Sequence, residues 1–376
     1  MRLVYFSPVF ARSYAQRPHF AVEALLQRGV ESVLWVNPYP ARLPQWQDLR
    51  WRRGMHDQGT SLDPRITVLE VPPLPVEPLP YGAWLCRRLF WRSAWRKLAG
   101  YAAQGPWILG VGRPGVLALM ALSELRPMAS FYDAMDNFPE FHRGLSRRVM
   151  RRRENALAAE VDLVVASSSF LAGKFRRRGL RVVKVLNGCS PAPLPERNPD
   201  LDRNPVLGYL GCIGPWFDWP LVARLAEQLP WVRVELVGPC LRRPPIDLPP
   251  NIRLLAACAQ TETAEHLARF SAGLVPFLRN SLTAAVDPIK FYEYRAAGLP
   301  VLSTTFGEMA LRGGRDGVYF LDRAEDLRPL VAQALSHRFS RTETEQFRRD
   351  HDWKRRFQQA DPFRWLFSRR TLAPAA

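Results

Sequence analysis

The chain is short of acidic residues, of pairable cysteines and of long apolar runs, and each shortage excludes something. It carries 35 Asp and Glu against 53 Lys and Arg, a formal charge of +18. An excess of one sign points to an anionic partner or to a solvated, Arg-rich surface. The five cysteines, Cys86, Cys189, Cys212, Cys240 and Cys258, are odd in number, scattered and without a C-x-x-C spacing. A disulfide framework and a zinc ribbon are therefore excluded, and a reducing compartment is expected. No stretch approaches the roughly 18–20 apolar residues that cross a bilayer; the best run is Val116–Leu122. Residues 1–8 have too short an apolar region for a signal peptide and read as a first strand. The expected location is the cytosol. Zinc-finger spacing, an RNA-recognition aromatic motif and a helix-turn-helix signal are all missing, so nucleic acid is not an expected partner.

What remains is ordinary folded-protein composition, 47% hydrophobic and 23% charged over 376 residues, enough for two domains with a core each. The basic excess is uneven: residues 1–188 hold 28 Lys/Arg against 14 Asp/Glu, so 14 of the 18 surplus charges lie there. Within Trp84–Leu98, at 100° per residue, Arg88, Arg92 and Arg96 form one stripe, with Phe90, Trp91, Ala94, Trp95 and Leu98 on the other side. Arg opposite Trp is the composition of an interfacial helix on anionic lipid, and equally of a core helix that packs with Trp. On the first reading Arg88, Trp91, Arg92, Trp95 and Arg96 touch a membrane surface. Arg143–Arg153 and Lys174–Arg178 add two further basic clusters.

Short apolar runs alternate with amphipathic segments, the pattern of parallel βαβ units. Strands are expected at Leu3–Phe6, Ser32–Val36, Trp107–Val111, Ala129–Tyr132, Asp162–Ala166 and Val182–Leu186, while residues 37–82 are Pro-rich and unplaced. Residues 189–205 are polar and Pro-rich and read as a linker. Beyond it the alternation restarts at Val206–Leu210 and runs past Pro300–Thr304. The expected organisation is an N-terminal domain over 1–188, the linker, a second domain over 206–340, and C-terminal helices over 341–376 that pack back on the first. Doubly wound domains place their chemistry on loops after strands, in a cleft.

Two motifs suit a phosphate-bearing ligand. Gly208-Tyr-Leu-Gly211-Cys-Ile-Gly214 follows a strand and precedes a helix, where glycines let backbone N–H groups approach a phosphate; a plain tight turn has the same signature. Asp287-Pro288-Ile289-Lys290-Phe-Tyr-Glu293-Tyr-Arg-Ala-Ala-Gly298-Leu-Pro-Val is stronger. Pro288 and Ile289 stand at a helix start. Lys290 and Glu293 share one face of the first turn, the cation suited to a diphosphate and the carboxylate to a vicinal diol such as ribose.

The string D-P-x-K-x-x-E-Y-x-A-A-G-x-P-V resembles the donor-binding segment of GT-B glycosyltransferases of bacterial polysaccharide pathways. Further pieces resemble that group in the same order: Gln16-Arg17-Pro18-His19, Phe131-Tyr-Asp133-Ala-Met-Asp136-Asn137, Val161–Ser168, Asn187-Gly188 and His351-Asp-Trp353. The likeness is greatest to the glucuronosyltransferase of xanthan synthesis and to teichuronic-acid transferases. It implies an α/β fold of two Rossmann-like doubly wound domains facing across a cleft. It implies transfer from a nucleotide-diphosphate sugar, a UDP-sugar favoured and GDP-mannose possible, to a lipid-linked or saccharide acceptor on the inner face of the plasma membrane. Lys290, Glu293, Gly211, Gly214, Pro288 and Ile289 would hold the donor. No metal or cofactor is expected, because basic side chains and helix dipoles stabilise the leaving diphosphate. Asp200/Asp202 and Asp350/Asp352 are coincidental D-x-D strings.

One departure matters. Retaining members of the large sucrose-synthase-like group carry a Glu eight residues before the ribose-binding Glu; here that position is Ala285. An inverting transfer is therefore favoured, with Asp136, or else Asp133, as the base that deprotonates the acceptor. Arg17, His19 and His142 are candidates for the acceptor side. Two other readings share the fold, an epimerase acting on a UDP-sugar and a non-catalytic partner subunit of another transferase.

Overall fold

Strands such as Trp107–Val111 and Val206–Leu210 are buried at every residue, which requires a parallel sheet covered on both faces. The structure, a computed structural model, describes residues 1–39, 62–72, 85–190, 203–241 and 244–368. Most of the expected linker, Asp200 and Asp202 with it, and Trp84 of the basic-aromatic segment lie outside the described residues. The chain divides into two units, Met1–Val185 with Phe357–Ala376, and Leu186–Arg356.

The first unit is built on β1 (Arg2–Phe6), β2 (Ser32–Val36), β3 (Ile66–Leu69), β4 (Trp107–Val111), β5 (Ala129–Ala134), β6 (Leu163–Ala166) and β7 (Val182–Lys184). Their order is β3-β2-β1-β4-β5-β6-β7, and every pairing is parallel. The second unit repeats the plan with β8 (Val206–Leu210), β9 (Arg233–Val237), β10 (Ile252–Leu255), β11 (Ala272–Val275), β12 (Val301–Ser303) and β13 (Val318–Phe320), ordered β10-β9-β8-β11-β12-β13. In each sheet the connections run one way from the first strand and the other way from the fourth. That reversal opens a crevice at the carboxyl ends of β1 and β4, and of β8 and β11, where ligands of such sheets bind. β3 and β13 were not expected; they are short edge strands.

The C-terminal segment differs from the expectation of a single block lying on the first domain. Helix Arg341–His351 stays with the second unit. Its Phe347 ring lies 5.8 Å from Phe291 and its Arg348 Nε donates to Ala296 O at 2.6 Å. Only from Phe357 does the chain rejoin the first unit, with Phe363 5.1 Å from Phe131. The boundary near residue 188 moves for a similar reason. Cys189 N–H donates to His351 O (2.9 Å) and Asn187 is bonded to Asp287, which fastens both to the second unit.

Trp91 also departs from its expected place on a lipid-facing side. It is 1% exposed and packs edge-on against Tyr39, 5.5 Å between ring centroids. Cys86–Phe90 forms a π-type turn, closed by Trp91 N–H on Cys86 O at 2.8 Å. Trp91 shares its face with Ala94 and Leu98, and that face lies in the core, whereas Phe90 at the end of the wide turn is exposed. Arg88, Arg92 and Arg96 are exposed and Trp95 is half-buried.

Candidate active site

Helix Ile289–Ala296 is seated on the second sheet by Tyr294, whose ring occupies the space above Gly273 on β11. A side-chain carbon on that glycine would come within 2.2 Å of the ring. The buried Tyr294 hydroxyl accepts from Leu210 N–H at 3.0 Å, which ties the helix to the end of β8. The first turn of the helix therefore stands over the β8–β11 crevice, beside the loop that begins at Gly211.

Lys290 and Gly211 meet there. A Cβ on Gly211 would lie 2.3 Å from Lys290 Cε and 2.4 Å from Nζ, and Gly211 has φ +145°. Only glycine suits this backbone and leaves room for the ammonium. Lys290 Nζ stands 5.7 Å from the Tyr209 ring centroid and 3.9 Å from Glu293 Oε2. At 3.9 Å the two heads attract without a hydrogen bond, so both keep their hydrogen-bonding capacity. Neither Ile289 nor Lys290 gives its backbone N–H to any described residue; the first such bond is Phe291 N–H to Pro288 O, at 3.1 Å. An ammonium, two open N–H groups and a helix dipole converge on one point, which is chemistry for a phosphate or diphosphate. Gly214, by contrast, is covered by the Trp216 indole, 2.6 Å from where its Cβ would be. Gly211→Ala is expected to push Lys290 aside and to weaken nucleotide binding by about tenfold or more, read by calorimetry, because a charge-assisted contact of about 1.5–3 kcal/mol is displaced.

Behind this turn Asp287 is locked in place. Its carboxylate accepts from Asn187 N–H (2.8 Å), Tyr292 OH (3.0 Å) and Arg312 Nη2 (2.8 Å), and its carbonyl accepts from Asn187 Nδ2 (2.6 Å). Asp287 is 3% exposed. It serves as the anchor of the helix start, a role that spacing alone did not reveal because Arg312 lies 25 residues away. Asp287→Ala is expected to lower unfolding stability by about 3–5 kcal/mol, since Arg312 is left buried without its carboxylate; a denaturant titration reads it.

In the first unit the two aspartates after β5 have different surroundings. Asp133 is 1% exposed and bound to Arg17 Nε (2.8 Å) and Tyr5 OH (3.4 Å). Arg17 is wholly buried and also donates to Val185 O at 2.6 Å. This pair is structural: Arg17 is not displayed to an acceptor, and Asp133 is neutralised by it. Asp136 is half-buried and makes no hydrogen bond or ion pair with any described residue. Burial, with a contribution from the Asp133 charge and against the pull of Arg17, pushes its carboxyl up to about 7.

His19 caps its own helix. Its Nδ1 accepts from Gln16 N–H and its Nε2 meets Ala11 O, both at 3.1 Å, and burial pushes its pKa down. His142 is half-buried in the turn before helix Gly144–Glu160. Among the described residues no group of three His, Cys, Asp or Glu stands together as a metal site would require.

No protein-family model matches the chain. A putative teichuronic acid biosynthesis glycosyltransferase, TuaH of Bacillus subtilis, is 24% identical over 174 residues, 42% of this chain and 44% of that protein; the match spans less than half of that relative. Anabaena HepE, solved with UDP and glucose, superposes with a TM-score of 0.62 at 16% identity, covering 98% of this chain and all of that one. A trehalose 6-phosphate synthase of Burkholderia multivorans gives 0.59 at 15% identity, over 100% and 98%. These likenesses, with the two parallel sheets, make the fold GT-B, as the sequence motifs led us to expect.

Proposed function

We propose that the chain is a glycosyltransferase that takes a sugar from a nucleotide-diphosphate sugar, a UDP-sugar in the first instance, and delivers it to a lipid-linked or saccharide acceptor in cell-envelope or exopolysaccharide synthesis. One observation carries the reading: the Lys290 ammonium rests against Gly211 at an open helix start, on the switch point of the second sheet. In this reading Lys290 and the N–H groups of Ile289 and Lys290 take the diphosphate, and Glu293 accepts from the ribose hydroxyls. The solved relative HepE, with UDP and glucose, supports a uridine nucleotide.

Asp136 is the base. It removes the acceptor hydroxyl proton while the oxygen lone pair forms the new bond to the anomeric carbon. The bond from that carbon to the diphosphate breaks, and its electrons leave with the nucleoside diphosphate. The reading favours inversion, because Ala285, where retaining relatives of the sucrose-synthase-like group place a carboxylate, is a wholly buried alanine. The test is a thermal-shift panel of UDP-glucose, UDP-glucuronate and GDP-mannose. At a hundredfold excess over Kd a true donor adds about 2.7 kcal/mol of stability, whereas no shift with any of them counts against the proposal. Release of free sugar epimer from donor alone would favour the epimerase instead.

The proposed acceptor side is an anionic membrane face. Among the described residues no helix is long and apolar enough to cross a membrane. Two exposed features suit lipid headgroups. One is the Arg88, Arg92, Arg96 stripe with Phe90; the other is the start of helix Gly144–Glu160, where Phe141 and Leu145 are 47% and 49% exposed beside Arg143 and Arg148. Phosphatidylserine vesicles are expected to bind the protein at low salt and to lose it as salt rises. Neutralising the three stripe arginines to Gln should remove about 1 kcal/mol per site. No binding to such vesicles at low salt would reject this face.

A further inference from the structure

Asp136 makes no hydrogen bond or ion pair with any described residue, yet the residues around it are held from three directions. Asp133 is fixed by Arg17, and the carbonyl of Met135 accepts from Ser167 Oγ at 2.9 Å. On the other side Asn137 Oδ1 accepts from Lys174 Nζ at 2.9 Å. Lys174 comes from helix Ser169–Arg176 and also binds Glu154 Oε2, at 2.5 Å, on helix Gly144–Glu160. Glu154 is completely buried, and its second oxygen accepts from Tyr132 OH on β5 at 3.2 Å. One ammonium thus links two helices and a strand to the residue next to Asp136.

A buried ion pair is weak evidence of stabilisation, because well-packed apolar residues in its place are often as stable or more so. What an apolar pair could not supply is the third contact, from Nζ to Asn137. A reacting group must be held to within a fraction of an ångström by neighbours that are themselves fixed. Bonds on both sides of a carboxylate that is itself unbonded meet that requirement, since they orient it without neutralising it. We propose that Lys174 is a positioning residue: through Asn137 it fixes the loop that presents Asp136, without touching substrate. The inference rests on the reading of Asp136 as the base.

Two variants cut the same contact by different routes. Asn137→Ala removes the acceptor and leaves the Lys174–Glu154 pair intact. Lys174→Met together with Glu154→Leu and Tyr132→Phe removes the ammonium without stranding a buried carboxylate or the hydroxyl that donates to it. Each is expected to lower kcat about tenfold or more, the scale of a small misplacement of a reacting group, with the donor KM within about twofold of the parent. Combined, the two routes should cost clearly less than the sum of their separate losses in kcat, because the contact from Lys174 to Asn137 is common to both. A kcat within about twofold of the parent in either route, in a protein whose Asp136→Asn variant is inactive, overturns the positioning role. Losses that add, or that only follow the fraction of folded protein, overturn it as well. An active Asp136→Asn variant overturns the base assignment itself.

Discussion

Asp136→Asn is expected to fold, to bind nucleotide as the parent does, and to transfer sugar about 10²–10⁴-fold more slowly, the usual contribution of a positioned general base. The parent should lose rate as the pH falls through about 7, because burial raises the Asp136 carboxyl to about 7 and only the carboxylate accepts a proton. Stability moves the other way. The folded protein holds a proton that the unfolded chain releases near the ordinary value of 3.8. The stabilisation from this group is therefore complete below that value and is lost as the pH rises through about 7. An amide never ionises, so the thermal midpoint of Asp136→Asn relative to the parent should rise between pH 5 and pH 8. A variant that is inactive but gains stability at alkaline pH marks a functional carboxylate. One that is destabilised at every pH marks a structural one.

Lys290→Met is expected to weaken binding of a nucleoside diphosphate by about 10- to 150-fold, the worth of one charge-assisted hydrogen bond of about 1.5–3 kcal/mol. The fold should survive. Lys290 is partly exposed and its one ionic neighbour among the described residues, Glu293, is 3.9 Å away and 33% exposed, so no buried charge is stranded there. Lys290→Arg is not expected to rescue fully, because the space against Gly211 is shaped for a compact ammonium rather than a planar guanidinium.

Much of this was legible from local pattern. Strands buried on both faces announce themselves as apolar runs, and Lys290 and Glu293 could be placed on one helical turn by counting. Tertiary facts could not be counted. That Gly211 provides the seat for Lys290 follows from β8 lying next to β11, a neighbourhood set by sheet order across about 80 residues of chain. The Arg312–Asp287 anchor and the Lys174–Asn137 contact are long-range in the same way. Trp91 was misplaced because spacing shows which residues share its face, Ala94 and Leu98, and not whether that face meets lipid or the core. β3 was missed because its four residues lie in the Pro-rich stretch 37–82, where no periodicity marks a strand. The different surroundings of Asp133 and Asp136 are equally invisible to spacing: three residues apart, the first is paired with Arg17 and the second has no hydrogen bond to any described residue.

Calorimetric titration with UDP and with UMP, on the parent and on Lys290→Met, tests the central claim most directly. A diphosphate seat at Lys290 predicts that the parent binds UDP well above UMP and that the variant loses most of that preference. Equal affinity of the variant and the parent for UDP would contradict it.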